Sequence, residues 1–386
     1  MINSISPPAG GKQSHLHGHH KLSDNALKAW LSYSLAPMSL LHLLARHEVP
    51  VGRVIEDPFV KLNQFWRKQM PPVAEEVFTA VKRWLDKDDS HQLICQASAC
   101  YPRLLDEISC PPKLLYACGD LRMLQQPMLA VVGSRRASPY GLHQAREISS
   151  QLVEHGWGIC SGMAMGIDAA AQQSALQVMG ATIGVLGCGV DVCYPPRQRP
   201  LYQALQQHGL LLSEFYPGAP AKSDHFLRRN RIISGLSQGV VVIEAGLRSG
   251  SLSTARFGLE QNRMIFAVPG PVTQQSYAGN HKLIQQGAQL VTKAEDILAE
   301  LPVLKSADRL EVFGTKPDIE SHTDKQQKRL AKHDLLANVG FETTSIDSLV
   351  KLTRLPVAAL MNQLISLELD GWVTAVPGGY VRVRRE

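Results

Sequence analysis

The segment 222–231 combines positive charge with an aromatic residue, the combination that binds the backbone and bases of a nucleic acid. It carries one acid, Asp224, and the candidate contacts Lys222, Phe226, Arg228, Arg229, Asn230 and Arg231. Cations neutralise phosphates, and an aromatic ring can stack on a base. The start of a solvated surface helix would carry similar charges, so that simpler interpretation remains open.

Three further loops place small residues, hydroxyls or a cation after predicted strands or before predicted helices. They contain Gly133, Ser134 and Arg135; Ser161, Gly162 and Gly166; and Ser249, Gly250 and Ser251. Small residues beside a helix N-terminus leave backbone N–H groups exposed, which suits a phosphate. The segment 133–138 does not match the GxGxxG pattern, and no acid follows the second strand to bind a ribose. A nicotinamide dinucleotide is therefore disfavoured, and no cofactor is expected.

The elements that position these loops alternate between apolar runs and helical patterns. Strands are predicted at 128–132, 157–160, 181–186, 210–214, 239–244 and 264–268, and helices at 139–155, 199–207, 229–236 and 251–261. Near-continuous apolar strands are typical of a parallel sheet covered on both faces. The sequence thus predicts a doubly wound α/β domain, whose ligands bind at the carboxyl ends of the strands.

Proline-rich and polar stretches divide the chain of 386 residues into several parts. We predict a disordered His-rich tail at 1–20, a helical N-terminal domain at 21–100, a Rossmann-like domain at 101–302, a linker at 303–328 and a winged-helix domain at 329–386. The winged helix is inferred from three helical patterns followed by a hairpin. The histidines of the tail do not favour a metal site, because no cysteine or carboxylate joins them at ligand spacing.

Composition favours a soluble protein of a reducing compartment. The hydrophobic fraction is 44%, the charged fraction 19% and the formal net charge +6, and no apolar run reaches the ~20 residues of a membrane span. The N-terminus lacks the apolar region of a signal peptide, and the seven cysteines form no CxxC pair. We expect a cytoplasmic location, free thiols and no membrane partner.

Residues 101–300 resemble the DNA-processing protein A (Smf) family in several short motifs whose order and spacing are specific. These are VGSR at 132–135, SGMAMGID at 161–168, RNRIISGLS at 229–237, SGSLSTA at 249–255, AVPG at 267–270, and GN at 279–280 followed by LI at 283–284 and GA at 287–288. The resemblance implies an extended Rossmann-like fold that binds single-stranded DNA without sequence preference. It also implies a homodimer, delivery of the strand to a RecA-type recombinase during natural transformation, and no chemical step.

This chain differs from the family motifs at two positions, and one further cation belongs to the predicted DNA site. Where the family usually has Phe-Pro before the basic segment, this chain has Phe226 and Leu227, and Gln172 stands where a histidine is usual. Neither change removes a cation. Together with Arg197, the predicted site consists of Gly133, Ser134, Arg135, Ser161, Gly162, Gly166, Lys222, Phe226, Arg228, Arg229, Asn230, Arg231, Ser249, Gly250 and Ser251.

A nucleotide-processing enzyme is the alternative on the same fold. Phosphoribohydrolases with this fold contain a motif similar to PGGxGTxxE. When the threonine of this motif is aligned with Thr254, Phe257 stands at the position of its glutamate. A phenylalanine cannot act as a general acid or base. Glu244 could replace the missing carboxylate if it faced this loop, or it could cap a helix.

Overall fold

In a computed structural model, the protein forms two compact units, Met1–Val312 and Phe313–Glu386. The structure describes residues 22–37, 40, 58–59, 64–301, 335, 339, 344–353, 355–369, 372–376 and 378–382. The predicted tail at 1–20 and the predicted linker at 303–328 lie outside these residues.

A nine-stranded sheet forms the centre of the first unit and confirms the predicted α/β class. Its strands are β1 (His91–Cys95), β2 (Leu114–Gly119), β3 (Met128–Val132), β4 (Gly158–Ser161), β5 (Thr182–Leu186), β6 (Leu210–Ser213), β7 (Gly239–Val242), β8 (Met264–Ala267) and β9 (Gln289–Leu290). They lie in the order β1-β2-β6-β5-β4-β3-β7-β8-β9. The strands β3 to β9 are mutually parallel, as the apolar runs predicted for β3 to β8; the short strand β9 was not predicted.

Helices cover both faces of this sheet. Among the described residues of the first unit the helices are α1 (Asp24–Leu35), α2 (Gln64–Gln69), α3 (Glu75–Leu85), α4 (Arg103–Asp106), α5 (Pro139–Glu154), α6 (Ile167–Gln177), α7 (Arg199–His208), α8 (Ser223–Gly235), α9 (Ser251–Glu260), α10 (Ala278–Gln285) and α11 (Ala294–Leu298). Helix α5 shows why such a segment begins where it does. Ser138 accepts a hydrogen bond from Gly141 N at 3.0 Å, and Pro139 occupies the first turn, where its missing N–H costs nothing.

The N-terminal region differs from the separate helical domain that the sequence predicted. Residues 91–95 form β1, which pairs antiparallel with β2, and β2 pairs antiparallel with β6. Trp30 and Leu31 of α1 are buried in one apolar cluster with Leu211 of β6. The helices of this region therefore pack on the sheet and extend its core. The sequence pattern missed β1 because its first three residues are only partly buried. It missed β2 although that strand is a buried apolar run, because the preceding prolines made Leu114, Leu115 and Tyr116 look like a lead-in to the next domain.

The order of the strands defines the edge at which a ligand would bind. From β3 the chain proceeds outward through β4, β5 and β6, and it then returns to the opposite side of β3 with β7. The loops that follow these five strands all leave the same edge of the sheet, because the strands are parallel. Ligands of such sheets bind in the crevice at this edge, next to the point where the strand order reverses.

The second unit is a winged helix, as predicted. Its described elements are α12 (Ile346–Thr353), α13 (Val357–Leu369), β10 (Val373–Val376) and β11 (Gly379–Arg382), and the two strands form an antiparallel hairpin. Leu349, Leu360, Leu364 and Val373 belong to its separate apolar core. Across the described parts of both units, no helix is long and apolar enough to cross a membrane.

Candidate nucleic-acid interface

The loop after β3 presents Arg135 to solvent while its other residues are held in place. Gly133 is buried, and a side chain there would come within 2.5 Å of Ile167, so only glycine fits. Ser134 N donates to Glu244 O at 2.7 Å, and Ser134 O accepts from Ile167 N at 3.2 Å. The exposed guanidinium of Arg135 lies 5.7 Å from the ring centre of Phe226. The structure thus joins two of the predicted site residues in a cation–π contact.

The loop after β4 offers fewer free backbone N–H groups than its small residues suggested. The buried carboxylate of Asp168 accepts from Gly162 N at 3.1 Å and from Ala164 N at 3.4 Å. Burial raises the pKa of this carboxyl, and the nearby Arg229 opposes that shift. Ser161 is also buried and donates to Val131 O at 2.6 Å. A phosphate would therefore compete with Asp168 for the first part of this loop.

Gly166 has the conformation that the glycine-rich motif requires. Its φ is +80°, and a side chain there would collide with Ser134 O. The loops after β3 and β4 are therefore packed directly against each other, which places Arg135 beside the exposed Met165 segment. Glycine at this position permits the approach.

Arg229 is buried and works inside the protein, contrary to the exposed role that a DNA contact requires. Its guanidinium donates to Gly162 O at 2.7 Å and to Val185 O, and its side chain also donates to Asn230 at 3.2 Å. Burial lowers the pKa of Arg229, while Asp168 raises it. Arg229 and Asp168 thus hold the two peptide groups on either side of Gly162, since one binds its carbonyl and the other its N–H.

Arg228 and Arg231 share one acid, Glu214, at the end of β6. Arg231 is buried and lies 2.6 Å from Glu214, and it also donates to Cys110 O at 3.0 Å. Arg228 lies 3.0 Å from the same carboxylate, but 53% of its side chain is exposed. Arg231 is therefore structural, whereas Arg228 can still reach a ligand.

The basic segment begins a helix earlier than the sequence predicted. Helix α8 starts at Ser223 instead of Arg229, so Phe226 and Arg228 lie on helical turns. Lys222 immediately precedes the helix and is exposed. Arg197 is exposed in a short 3₁₀ turn, Pro196–Gln198, after β5. Both cations occupy loops that leave the ligand-binding edge.

The serine-rich start of α9 satisfies much of its own polarity. The hydroxyls of Ser249 and Ser251 lie 3.0 Å apart, and Ser249 also accepts from Ser251 N at 3.3 Å. Asn230 is buried and donates to Ser253 at 2.7 Å. Asn230 therefore connects α8 to this segment, and Gly250 remains exposed between the serines.

Glu244 lies at the N-terminus of α5 and is fully buried. One carboxylate oxygen accepts from Ser138 N at 2.9 Å, from the Ser138 hydroxyl at 2.7 Å and from the Tyr277 hydroxyl at 3.0 Å. A carboxylate thus occupies the helix N-terminus where a dinucleotide phosphate binds in related folds. Of the two roles that the sequence left open for Glu244, this geometry is that of a cap.

Three residues near the site were not predicted. Glu214 and Asp168 engage the buried arginines, and their roles depend on contacts that sequence spacing does not reveal. Tyr194 lies in the loop after β5, with its ring centre 5.4 Å from that of Phe226. An aromatic residue three positions before Arg197 was the only sequence signal for it.

Comparisons with known proteins agree with this architecture. The family model for DNA recombination-mediator protein A matches residues 92–302, and the model for the DprA winged helix domain matches residues 320–379. Protein Smf of Escherichia coli (strain K12) is 45% identical over 309 residues, which cover 78% of this chain and 80% of that protein.

Two solved structures are also similar. DNA processing protein A from Streptococcus pneumoniae has 35% identity and a TM-score of 0.60, over 73% of this chain and 99% of that one. DNA processing protein A from Helicobacter pylori has 31% identity and a TM-score of 0.50, over 54% of this chain and 94% of that one. The latter structure was described for its single-stranded DNA binding mode.

Proposed function

Because the chain belongs to the DNA-processing protein A (Smf) family, we propose that it binds single-stranded DNA without sequence preference and protects it. In this proposal the protein then loads a RecA-type recombinase onto the strand during natural transformation or recombination. Two similar proteins support the proposal: one is named a DNA processing protein, and the other was described with a single-stranded DNA binding mode.

The observation that carries the proposal is a row of exposed cations along the ligand-binding edge. Arg135, Arg197, Lys222 and Arg228 all extend from loops or helix starts at the carboxyl ends of β3, β5 and β6. Phosphates are alike in every sequence, so such contacts bind strands of any sequence with similar affinity. Phe226 adds a ring beside these charges, as single-strand sites commonly do.

Fluorescence anisotropy with labelled oligonucleotides of several sequences tests this proposal. We expect similar affinities for mixed, thymine-rich and adenine-rich single strands, and weaker binding of duplexes. Arg135→Ala should weaken binding of every single strand, because it removes the exposed cation that lies against Phe226. A protein that binds no single strand at low salt would refute the proposal, as would one that prefers duplexes.

We also propose that the protein catalyses no reaction and needs no cofactor. Phe257 occupies the position of the expected glutamate, and Glu244 is enclosed by Ser138 and Tyr277. Incubation with nucleoside monophosphates or ATP, followed by chromatography, should give no product. Turnover that disappears in Glu244→Gln would instead establish the alternative, a nucleotide-processing enzyme.

Self-association and location are further parts of the proposal. We place the protein in the cytoplasm as a homodimer, and the outer edge of the sheet suits the dimer contact. Strand β9 pairs with Phe266 and Ala267 of β8 and has exposed Gln289 and Leu290, and Met264 at the start of β8 is 40% exposed. Two subunits joined there would let one long strand contact both basic faces, which raises affinity through effective concentration.

Light scattering at several protein concentrations, with and without DNA, tests the dimer and the bridging together. A dimer whose affinity rises steeply once the oligonucleotide can reach both faces is expected. A strict monomer that ignores oligonucleotide length would contradict this part. Recombinase loading is tested separately, by asking whether the protein speeds strand exchange by a RecA-type recombinase on coated single strands.

A further inference from the structure

Tyr194 presents an exposed aromatic ring beside the proposed DNA site. It lies in the loop between β5 and α7, and 43% of the residue is exposed. Its ring is tilted by 34° to that of Phe226, with 5.4 Å between the centres. The Tyr194 hydroxyl has no hydrogen-bond partner among the residues that the structure describes. Hydrogen bonding therefore does not explain a tyrosine at this position.

Phe226 acts as a support for this ring. A side chain at Gly187 would come within 2.6 Å of the Phe226 ring, so Phe226 packs directly on the backbone after β5. The guanidinium of Arg135 lies 5.7 Å from the ring centre, and that of the buried Arg229 lies 5.9 Å away. Phe226 is thus packed against the protein and only partly exposed, whereas Tyr194 is 43% exposed beside it.

The loop that carries Tyr194 is anchored at several points. Gln198 donates to Ala164 O at 3.1 Å, which ties the end of the loop to the loop after β4. Ser213 donates to Cys188 O at 2.6 Å, and Gly189 N donates to Ala219 O at 2.8 Å. A ring held in this way loses little conformational freedom when a ligand stacks on it.

We propose that Tyr194 stacks on a base of the bound single strand, and that Phe226 supports its ring from the protein side. The inference rests on the proposed function. Its chemistry follows from the neighbours. Arg135 contacts the same Phe226 ring as Tyr194, and Arg197 follows in the same loop, so an exposed ring lies near cations that attract phosphates. Such a ring matches an unstacked base. Tyr194 would therefore contribute a base-dependent part of the affinity, in addition to the phosphate contacts.

Oligonucleotides with and without bases separate the two contributions. The probes are a labelled oligothymidine of about 20 nucleotides and a matched strand in which the central nucleotides are abasic. Wild-type protein should bind the abasic strand more weakly. Tyr194→Leu should weaken binding of oligothymidine by about 5- to 150-fold, the range of base–aromatic stacking, but should barely change binding of the abasic strand. Tyr194→Phe should retain wild-type behaviour, because the hydroxyl is not used.

Tyr140→Leu is the matched control, because Tyr140 is 44% exposed but contacts Tyr277 and lies 6.0 Å from that ring instead of Phe226. It should leave the ratio of the two affinities unchanged. Thermal unfolding of each variant reports any loss of structure. If Tyr194→Leu unfolds, the Tyr194→Phe variant and the abasic strand with wild-type protein still test the idea.

The outcomes distinguish this inference from the proposed function. Wild-type protein that binds neither strand overturns the proposed function itself. Equal affinity of the wild type for both strands overturns the stacking role and leaves the phosphate contacts intact. An equal loss for both strands in a folded Tyr194→Leu also overturns it, because that result would mean a general effect on the face.

Discussion

Replacing Lys222 and Arg228 together by alanine should flatten the salt dependence of single-strand binding. Each phosphate contact with a single strand contributes about −0.7 to the slope of log affinity against log salt. Lys222 is exposed and should contribute fully, whereas Arg228 is shared with Glu214 at 3.0 Å and should contribute less. We therefore expect the slope to flatten by about 0.7 to 1.4.

The slope converts into a measurable difference between salt concentrations. When salt rises fourfold, from about 50 to 200 mM, a slope difference of about 1.4 changes the ratio of wild-type to variant affinity by about sevenfold. The affinity defect of the double variant should therefore be largest at low salt and shrink by up to about sevenfold at the higher concentration. Anisotropy titrations at four or five salt concentrations measure both lines.

Arg103→Ala provides the matched control. Its side chain is 93% exposed. It lies on α4, which contacts the C-terminal end of α8 through Leu105 and Gly235, whereas Lys222 precedes the N-terminal end of α8. Its salt line should coincide with that of the wild type. Parallel lines for the wild type and the double variant would refute the reasoning, because they would mean that neither Lys222 nor Arg228 contacts phosphate.

Three further results are expected. Arg229→Met should lower the free energy of unfolding by about 3–5 kcal/mol in a urea titration, because it leaves the buried Asp168 without its cation. The neighbouring control Arg228→Ala should lower it by under about 1 kcal/mol, and equal losses would contradict the burial of Arg229. Folded Glu214→Gln should bind single strands more strongly and steepen the salt slope by up to about 0.7, because Glu214 no longer competes with phosphates for Arg228. A folded variant that binds more weakly would refute this competition. Removal of residues 329–386 should leave most single-strand affinity intact, since the described winged helix uses Leu360 and Leu364 for its own core, and loss of most affinity would contradict this accessory role.

The sequence predicted strands β3 to β8 well because nearly all of their residues are buried. Strands β3, β6, β7 and β8 begin at the predicted residues, and β4 and β5 each begin one residue later than predicted. Strand β1 was missed because its first three residues are only partly buried, so no apolar run marks it. Its existence depends on β2, which supplies the backbone partners from about twenty or more residues further along the chain, from Leu114 opposite Cys95 to Cys118 opposite His91.

The charged residues of the site were harder to predict than the strands. Arg228 and Arg229 are adjacent and chemically identical, yet one is half exposed and the other is buried. Which of them turns inward is decided by Asp168 and by the carbonyls of Gly162 and Val185, all from other segments. A sequence pattern records the number of cations but not the partners that neutralise them, so the predicted cluster included internal and external arginines alike.

This division of the cations has a consequence for how variants of the site should be interpreted. Arg229 and Arg231 bind carbonyls and carboxylates inside the protein, so their loss would disturb the loops that present Arg135 and Tyr194. Such a variant would bind DNA weakly without having lost a phosphate contact, and its salt slope should stay close to that of the wild type wherever it remains folded. Loss of an exposed cation such as Lys222 should change the slope but not the stability. Affinity alone confuses these two causes, whereas the salt slope and the free energy of unfolding, measured together, assign each arginine to the interior or to the DNA.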